Sequence, residues 1–113
     1  MSIRYTEDFY QQSEPIGEEG NAWNNQSTGI NGDSSSVDLE YNAFVDIVGN
    51  TSGATELTIY KSQDDTKFYD SEVKIEIEEA GDFAINGLYV GFRYIRLQSS
   101  NDVTATATIA AKA

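Results

Sequence analysis

The sequence predicts an all-β fold, an antiparallel β-sandwich of about eight strands. Residues 56–60, 72–78 and 103–110 alternate apolar and polar side chains with a period of two. This period buries one face of a strand and leaves the other face in water. No segment keeps the apolar period of 3.6 that an amphipathic helix shows. Strands must therefore build the core.

The chain of 113 residues is predicted to form a single domain with two parts. In residues 1–36, aromatic residues are spaced irregularly among Gly, Ser, Asn and acidic residues, so we predict an N-terminal arm with loops and short strands. From residue 37 to residue 113 the alternation is regular. This part is predicted to be the body of the sandwich.

The predicted strands of the body follow one another at short spacing, which is typical of sandwiches, jelly rolls and barrels. They are residues 37–40, 43–48, 56–62, 67–70, 72–78, 82–85, 94–99 and 103–110. Turn signals lie between them at residues 49–53, 63–66, 79–81, 86–87 and 100–102. Segment 43–48 is mostly apolar, so we expect a central strand covered on both faces.

The predicted core takes the inward member of each alternating run. It consists of Phe44, Ile47, Leu57, Ile59, Phe68, Val73, Ile75, Ile77, Phe83, Ile85, Ile95, Leu97, Val103, Ala105, Ala107 and Ile109.

Composition argues against enzyme chemistry. The chain contains no His and no Cys, which removes the commonest general base and the thiol nucleophile. Its Gly-rich loops lack the Lys-Ser/Thr of a phosphate cradle. Asp64 and Asp65 flank a turn and are interpreted as turn formers rather than Ca²⁺ ligands. We predict no catalytic residues, no cofactor and no metal site.

The net charge of −12 comes from 19 acidic and 7 basic residues. The basic residues are scattered, so the chain lacks the cationic face that nucleic-acid binding needs. The sequence also shows no apolar signal segment and no run of about 20 apolar residues, so neither a secretory signal nor a membrane span is expected. An acidic surface suits solubility, a basic protein partner or a salty habitat.

Aromatic residues in polar surroundings are the candidate interface residues. Tyr5, Phe9 and Tyr10 lie in the predicted arm, which is expected to dock either on its own sandwich or on a neighbouring subunit. Trp23 lies in the polar segment 21–26 and is the fourth candidate. Exposed aromatics such as Trp23, Tyr41 and Tyr89 would alternatively allow stacking on sugar rings.

Several motifs resemble known families. Residues 58–69 resemble the strand–turn–strand hairpin of galactose-binding-like jelly rolls, with Asp65 in place of the usual turn glycine, and residues 92–97 resemble their Arg-Tyr-Ile-Arg-Leu strand. Together with residues 52–59, 81–83 and 103–109, the same motifs are similar to small structural proteins of tailed phages, of the head decoration or cement type. The resemblance covers about residues 43–110, and within it Arg93 and Arg96 are expected to support the fold by pairing with acids.

The resemblance implies a jelly-roll-like sandwich and a non-enzymatic virion protein that decorates or cements the capsid. The expected partners are the major capsid protein or sister copies in a homo-oligomer such as a trimer, with no nucleic acid and no membrane. The expected location is the virion, after synthesis in the host cytoplasm. Two alternatives remain open, a carbohydrate-binding module and a phage tail or connector component.

Overall fold

The computed structural model describes residues 20–112 and confirms the all-β prediction. Within these residues nine strands form two antiparallel sheets. The strands are β1 (Asn21–Ser27), β2 (Gly32–Asp33), β3 (Val37–Asp38), β4 (Phe44–Thr51), β5 (Thr55–Ser62), β6 (Tyr69–Ile77), β7 (Gly81–Tyr89), β8 (Tyr94–Ser99) and β9 (Thr104–Lys112).

The strand order identifies the sandwich as a jelly roll. One sheet has the order β1-β9-β4-β7, and the other has the order β2-β8-β5-β6, with β3 also paired to β8. If β2 and β3 are taken as one interrupted strand, the first strand pairs with the last, the second with the seventh, the third with the sixth and the fourth with the fifth. This nested antiparallel pairing across two sheets is the jelly-roll arrangement, as predicted.

The described end of the predicted arm is part of the sandwich. Strand β1 is an edge strand that pairs with β9, from Asn21 opposite Thr108 to Ser27 opposite Thr104. Strand β2 pairs with β8, also within the segment predicted as an arm. Residues 1–19 lie outside the described residues, and the predicted interface residues Tyr5, Phe9 and Tyr10 lie there.

The core between the sheets contains most of the residues predicted for it. Those buried as predicted are Ile47, Leu57, Ile59, Ile95, Leu97, Val103, Ala105, Ala107 and Ile109. The prediction missed Ala22, Trp23, Val37, Leu39, Val45 and Val90, which are also buried. Inward residues of β6 and β7 are only partly buried, and their side of the sandwich is described below.

The predictions for the first residues of β4 were partly wrong. Strand β4 is central, between β9 and β7, but Phe44 is 39% exposed and Val48 is exposed as well. Val45 and Ile47 are the inward residues of this strand. Because side chains alternate between faces, Phe44 and Ile47 cannot both enter the core of a regular strand. The prediction that both faces of β4 are covered is therefore wrong, since the face that carries Phe44 and Val48 is exposed.

Two predicted breaks are β-bulges inside long strands. The turn signal at residues 86–87 lies within β7, where Val45 pairs with Leu88 and Ile47 with Ile85. Asn86 and Gly87 therefore both lie opposite the single residue Asp46. Gly87 supports this bulge with a φ of 66°, and its N–H donates to Asp46 Oδ1 at 2.8 Å. Likewise, the strands predicted at 67–70 and 72–78 are joined in β6 through an irregularity beside Glu72.

Candidate functional site: an aromatic end of the sandwich

Three connections meet at one end of the jelly roll and form a cleft there. They are the β3–β4, β5–β6 and β7–β8 loops, which nested pairing brings to the same end of the two sheets. The cleft has a volume of about 330 Å³. Its lining consists of Tyr41, Asn42, Ala43, Gln63, Tyr89, Gly91, Phe92 and Arg93.

Around this cleft, five aromatic rings and three cationic side chains form a surface that we call the aromatic end. Its members are Tyr41, Phe44, Tyr69, Tyr89, Phe92, Lys61, Lys67 and Arg93. The cations lie among the acidic residues Asp38, Glu40, Asp64 and Asp65 in and beside the same connections, so this end carries both signs of charge. The opposite end carries the acidic Glu78, Glu79 and Asp82 in and beside the β6–β7 turn.

The β3–β4 turn presents Tyr41 to solvent. Tyr41 is 77% exposed, and both it and Glu40 have left-handed backbones, with φ of 68° and 53°. Non-glycine residues rarely adopt this conformation, at a cost of order 1 kcal/mol each. The turn is nevertheless held: Glu40 N–H donates to Asp38 Oδ1 at 2.8 Å, and Asn42 N–H donates to the carbonyl of buried Leu39 at 2.9 Å.

Arg93 holds the side chain of Tyr41 in place. Its Nε and Nη2 donate to the two carboxylate oxygens of Asp38, each at 2.9 Å, in the bidentate geometry that gives the strongest ion pairs. Its Nη1 donates to the hydroxyl oxygen of Tyr41 at 3.0 Å, and its guanidinium carbon lies 4.7 Å from the centre of that ring. The predicted pairing of Arg93 and Arg96 with acids is confirmed, since Arg96 also pairs with Asp33 at 3.4 Å.

The ionisation of this cluster follows its contacts. The hydrogen bonds from Arg93 lower the pKa of Asp38 below its ordinary value, desolvation opposes that shift, and the Glu40 N–H lowers the pKa further. The same pair raises the pKa of Arg93, with a further contribution from the hydrogen bond to Tyr41. The ion pair therefore keeps both its charges near neutral pH.

The other rings of the aromatic end are held in pairs. Tyr89, which is 66% exposed, meets Phe44 edge to face with 5.6 Å between ring centres, and Tyr69 meets Phe92 in the same way at 6.4 Å. Lys61 Nζ lies 4.7 Å from the centre of the Phe92 ring. Rings held in this way offer apolar area at low entropic cost, which suits either a protein anchor or a sugar ring.

The structure corrects the prediction that Trp23 is an interface residue. Its side chain is only 1% exposed and belongs to the core. The pairing of β1 with β9 shifts register on both sides of Trp23, which lets the consecutive residues Ala22 and Trp23 both face inward. Trp23 is therefore available neither to a protein partner nor to a sugar.

The structure brings Tyr41 and Tyr89, both named for sugar stacking, into one cleft. Sequence reasoning missed Phe44 and the positioning role of Arg93. The strict alternation of side chains through residues 44–48 would have placed Phe44 on the outer face, next to Tyr89 of the neighbouring strand. No sequence signal pointed to the contact between Arg93 and Tyr41, which are far apart in the chain.

Among residues 20–112, no three acidic, His or Cys side chains form a group that could hold a metal ion. The same part of the chain has no helix with the length and apolar character needed to cross a membrane.

Comparison of the chain with known protein families, curated proteins and solved structures found no match. The resemblance of residues 43–110 to phage structural proteins therefore stays a prediction, and the function is argued from the geometry of the aromatic end.

Proposed function

We propose that this protein is a non-enzymatic structural component of a tailed-phage particle that decorates or cements the capsid through protein–protein contacts of its aromatic end. The observation that carries the proposal is the presentation of Tyr41. A strained turn and a bidentate ion pair hold in solvent a ring that buries little against its own chain. Such strain is explained when a partner covers the ring.

The aromatic end has the composition of an interface centre. Tyr and Arg are enriched among the residues that dominate binding energy, and aromatic rings lose little freedom when they are already fixed by neighbours. Arg93 is fixed by Asp38 before any partner arrives. The proposed partners are the major capsid protein or sister copies, as in a trimer, and the proposed location is the virion.

Repetition would supply the strength of attachment. A single contact through Tyr41, Tyr89 and Phe44 covers a small area, but a capsid repeats its surface at every symmetry-related position. Copies that also touch one another at those positions bind with an avidity well above the affinity of one contact.

The experiment is cryo-electron microscopy of particles assembled with the wild-type protein, with Tyr41→Ala and with Ile30→Ala. Ile30 is a matched control, since it is also exposed and apolar but lies in the β1–β2 loop at the opposite end of the sandwich. We expect density at symmetry-related capsid positions, reduced at least tenfold in occupancy by Tyr41→Ala and unchanged by Ile30→Ala.

Wild-type occupancy in the Tyr41→Ala particles, or the absence of the protein from the shell, would contradict capsid decoration through the aromatic end. Density confined to the tail would instead favour the tail or connector component named as an alternative.

Carbohydrate binding is a second candidate, favoured by the cleft itself. Its walls combine the rings of Tyr41 and Tyr89 with the amides of Asn42 and Gln63 and the guanidinium of Arg93. Rings that stack on a sugar face beside a few directed polar groups are typical of sugar sites. A glycan array should then show saturable binding that Tyr89→Ala abolishes, and a blank array would eliminate this candidate.

A further inference from the structure

The sandwich has two sides at which an edge strand of one sheet faces an edge strand of the other. The apolar residues between the sheets are covered much better on one of these sides than on the other. On the side of β1 and β3, Trp23, Val37 and Leu39 are fully buried. On that side a backbone hydrogen bond of 3.1 Å also joins Ser35 N–H to the carbonyl of Ala22. The apolar residues of the core are therefore covered on this side.

On the side of β6 and β7 the core is only half covered. Six apolar residues that face inward there are partly buried, and we call them the β6–β7 seam: Val73, Ile75, Ile77, Phe83, Ile85 and Leu88. A gap of about 60 Å³ lies between the sheets at the Val73 and Leu88 end of the seam. In the described part of the chain, β6 pairs only with β5, β7 pairs only with β4, and the two do not pair with each other.

Exposed carboxylates surround the seam. They are Asp70, Glu72, Glu76, Glu78, Glu79 and Asp82, on β6, in the turn and on β7. Lys74 is the one basic residue of β6, and its Nζ donates to Thr58 Oγ1 at 3.2 Å. The seam is thus an apolar strip with a mainly acidic rim, and Lys61 lines the gap at its Val73 end.

The charge of the rim selects the occupant. A second copy docking seam to seam would bring an equal set of carboxylates against it, and such like-charge contacts are costly. The N-terminal residues 1–19 of the chain carry five acidic residues and one basic residue, so their charge is also unfavourable. Both charge arguments favour a basic segment from a different protein.

We propose that the β6–β7 seam receives an extended basic segment of a partner protein, with alternating apolar and cationic residues, as an added strand on β6. Strand β6 is the better template because it carries the exposed carboxylates of Asp70, Glu72 and Glu76, whereas β7 carries only that of Asp82. The pairing of β6 with β5 is also regular from Lys74 to Ile77. Strand addition satisfies the free backbone groups of an edge and places alternate side chains on opposite faces.

The two faces of the added strand match the apolar seam and its exposed carboxylates, respectively. Its apolar side chains would cover Ile75 on one sheet and Phe83 on the other, and its cations would lie beside Glu72 and Glu76. This surface differs from the aromatic end and adds a second interaction to the proposed function, so the two can fail independently.

The test uses the full-length protein and a nine-residue peptide of alternating valine and lysine, followed by NMR amide exchange and chemical shifts. We expect the peptide to slow amide exchange in β6 and to shift Ile75 and Phe83, with no slowing in β1. A peptide with N-methyl groups on alternate residues, which cannot pair as a strand, should bind at least tenfold more weakly.

Charge variants provide the matched control. Glu72→Lys should weaken peptide binding two- to fivefold at low salt, whereas Glu40→Lys should leave it unchanged. Both glutamates are exposed and have left-handed backbones, with φ of 66° and 53°, so the two substitutions change the same charge on similar backbones. Tyr41→Ala should also bind the peptide normally.

Three results would overturn the proposal: no protection in β6, protection at β1 instead of β6, or equal binding of the N-methylated peptide. Equal weakening by Glu72→Lys and Glu40→Lys would also overturn it, because attraction would then depend on total charge rather than on the rim.

Discussion

Arg93 and Asp38 form the central ion pair of the aromatic end, with two parallel hydrogen bonds of 2.9 Å between the guanidinium and the carboxylate. Asp38 lies on β3, and Arg93 directly precedes Tyr94, which pairs with Asp38 across the strands. The ion pair therefore ties the β7–β8 loop to the turn that carries Tyr41. The position of Arg93, and through it the orientation of the Tyr41 ring, depends on this ion pair.

The first prediction concerns acid stability. The lowered pKa of Asp38 means that its ion pair adds stability at a pH above the unfolded-state value of about 3.9, and that this stability is lost as the pH falls through the lower folded-state value. Asp38→Asn should therefore be less stable than the wild type at about pH 6, and the difference should shrink at about pH 2.5. Urea unfolding at both pH values measures it.

Asp64 and Asp102 also have lowered pKa values, from backbone hydrogen bonds of Lys67 and Thr66 in the first case and from Ser27 in the second. The wild type and Asp38→Asn therefore both lose stability in acid through Asp64 and Asp102. The difference in unfolding free energy between the two proteins isolates the contribution of Asp38. A difference between wild type and variant that does not change with pH would contradict the assignment.

The second prediction concerns Trp23, which closes the β1 side of the core. Trp23→Ala should lower the free energy of unfolding by about 3–5 kcal/mol, the usual cost of removing a large buried ring. Tyr41→Ala should change it by less than about 0.5 kcal/mol, because that ring is mostly exposed. Urea unfolding measures both, and since the chain has one tryptophan, a red shift of its fluorescence reports wild-type unfolding.

If Trp23→Ala and Tyr41→Ala lowered the free energy of unfolding by similar amounts, Trp23 would not be the residue that covers the core on the β1 side. Trp23→Phe gives a milder form of the same test and should fall between the wild type and the alanine variant.

The third prediction concerns the contact between Gly91 and Tyr89. A Cβ at Gly91 would lie 2.7 Å from the hydroxyl oxygen of Tyr89, and at Gly87 a Cβ would meet no atom within 4 Å. Both glycines have left-handed backbones, with φ of 72° and 66°, so alanine should cost about 1 kcal/mol at either site. Only Gly91→Ala should also move the Tyr89 ring.

NMR chemical shifts of Tyr89 and Phe44 distinguish the two variants. Unchanged Tyr89 shifts in Gly91→Ala would contradict the contact, and if Tyr89 binds the partner, only Gly91→Ala should weaken binding.

The fourth prediction tests the openness of the β6–β7 seam. Ile109 is fully buried and Ile75 is partly buried, so the same substitution has different costs. Ile109→Ala should destabilise the protein by about 2–5 kcal/mol and Ile75→Ala by about 1 kcal/mol. Equal losses in chemical denaturation would mean that the seam is covered in the free protein.

Much of the fold could be predicted from the sequence because side-chain alternation is a local property. In β9 the apolar residues Ala105, Ala107 and Ile109 are all buried, as their spacing predicted. The same rule was misapplied at Phe44, where an apolar run hid the alternation. Bulges were the other source of error, since Asn86-Gly87 is as typical of a turn as of the kink it makes in β7.

The candidate site could be predicted only in part. Tyr41 and Tyr89 were recognisable as aromatics outside the alternating core pattern, and both are exposed in the cleft. Trp23 was misjudged because its neighbours in sequence are polar, whereas its neighbours in space are core residues. Nothing local marks a residue whose burial depends on a bulge in an edge strand.

The sequence by itself determined the all-β class, the acidic surface and most of the inward residues, because each depends on composition or on a period of two along one strand. The tertiary structure alone decided that Arg93 meets Asp38 and Tyr41, that Trp23 seals one side of the sandwich, and that the β6–β7 side stays half open. These relationships join residues distant in the chain, and they exist only once the nested pairing of the strands has brought loops and edges together.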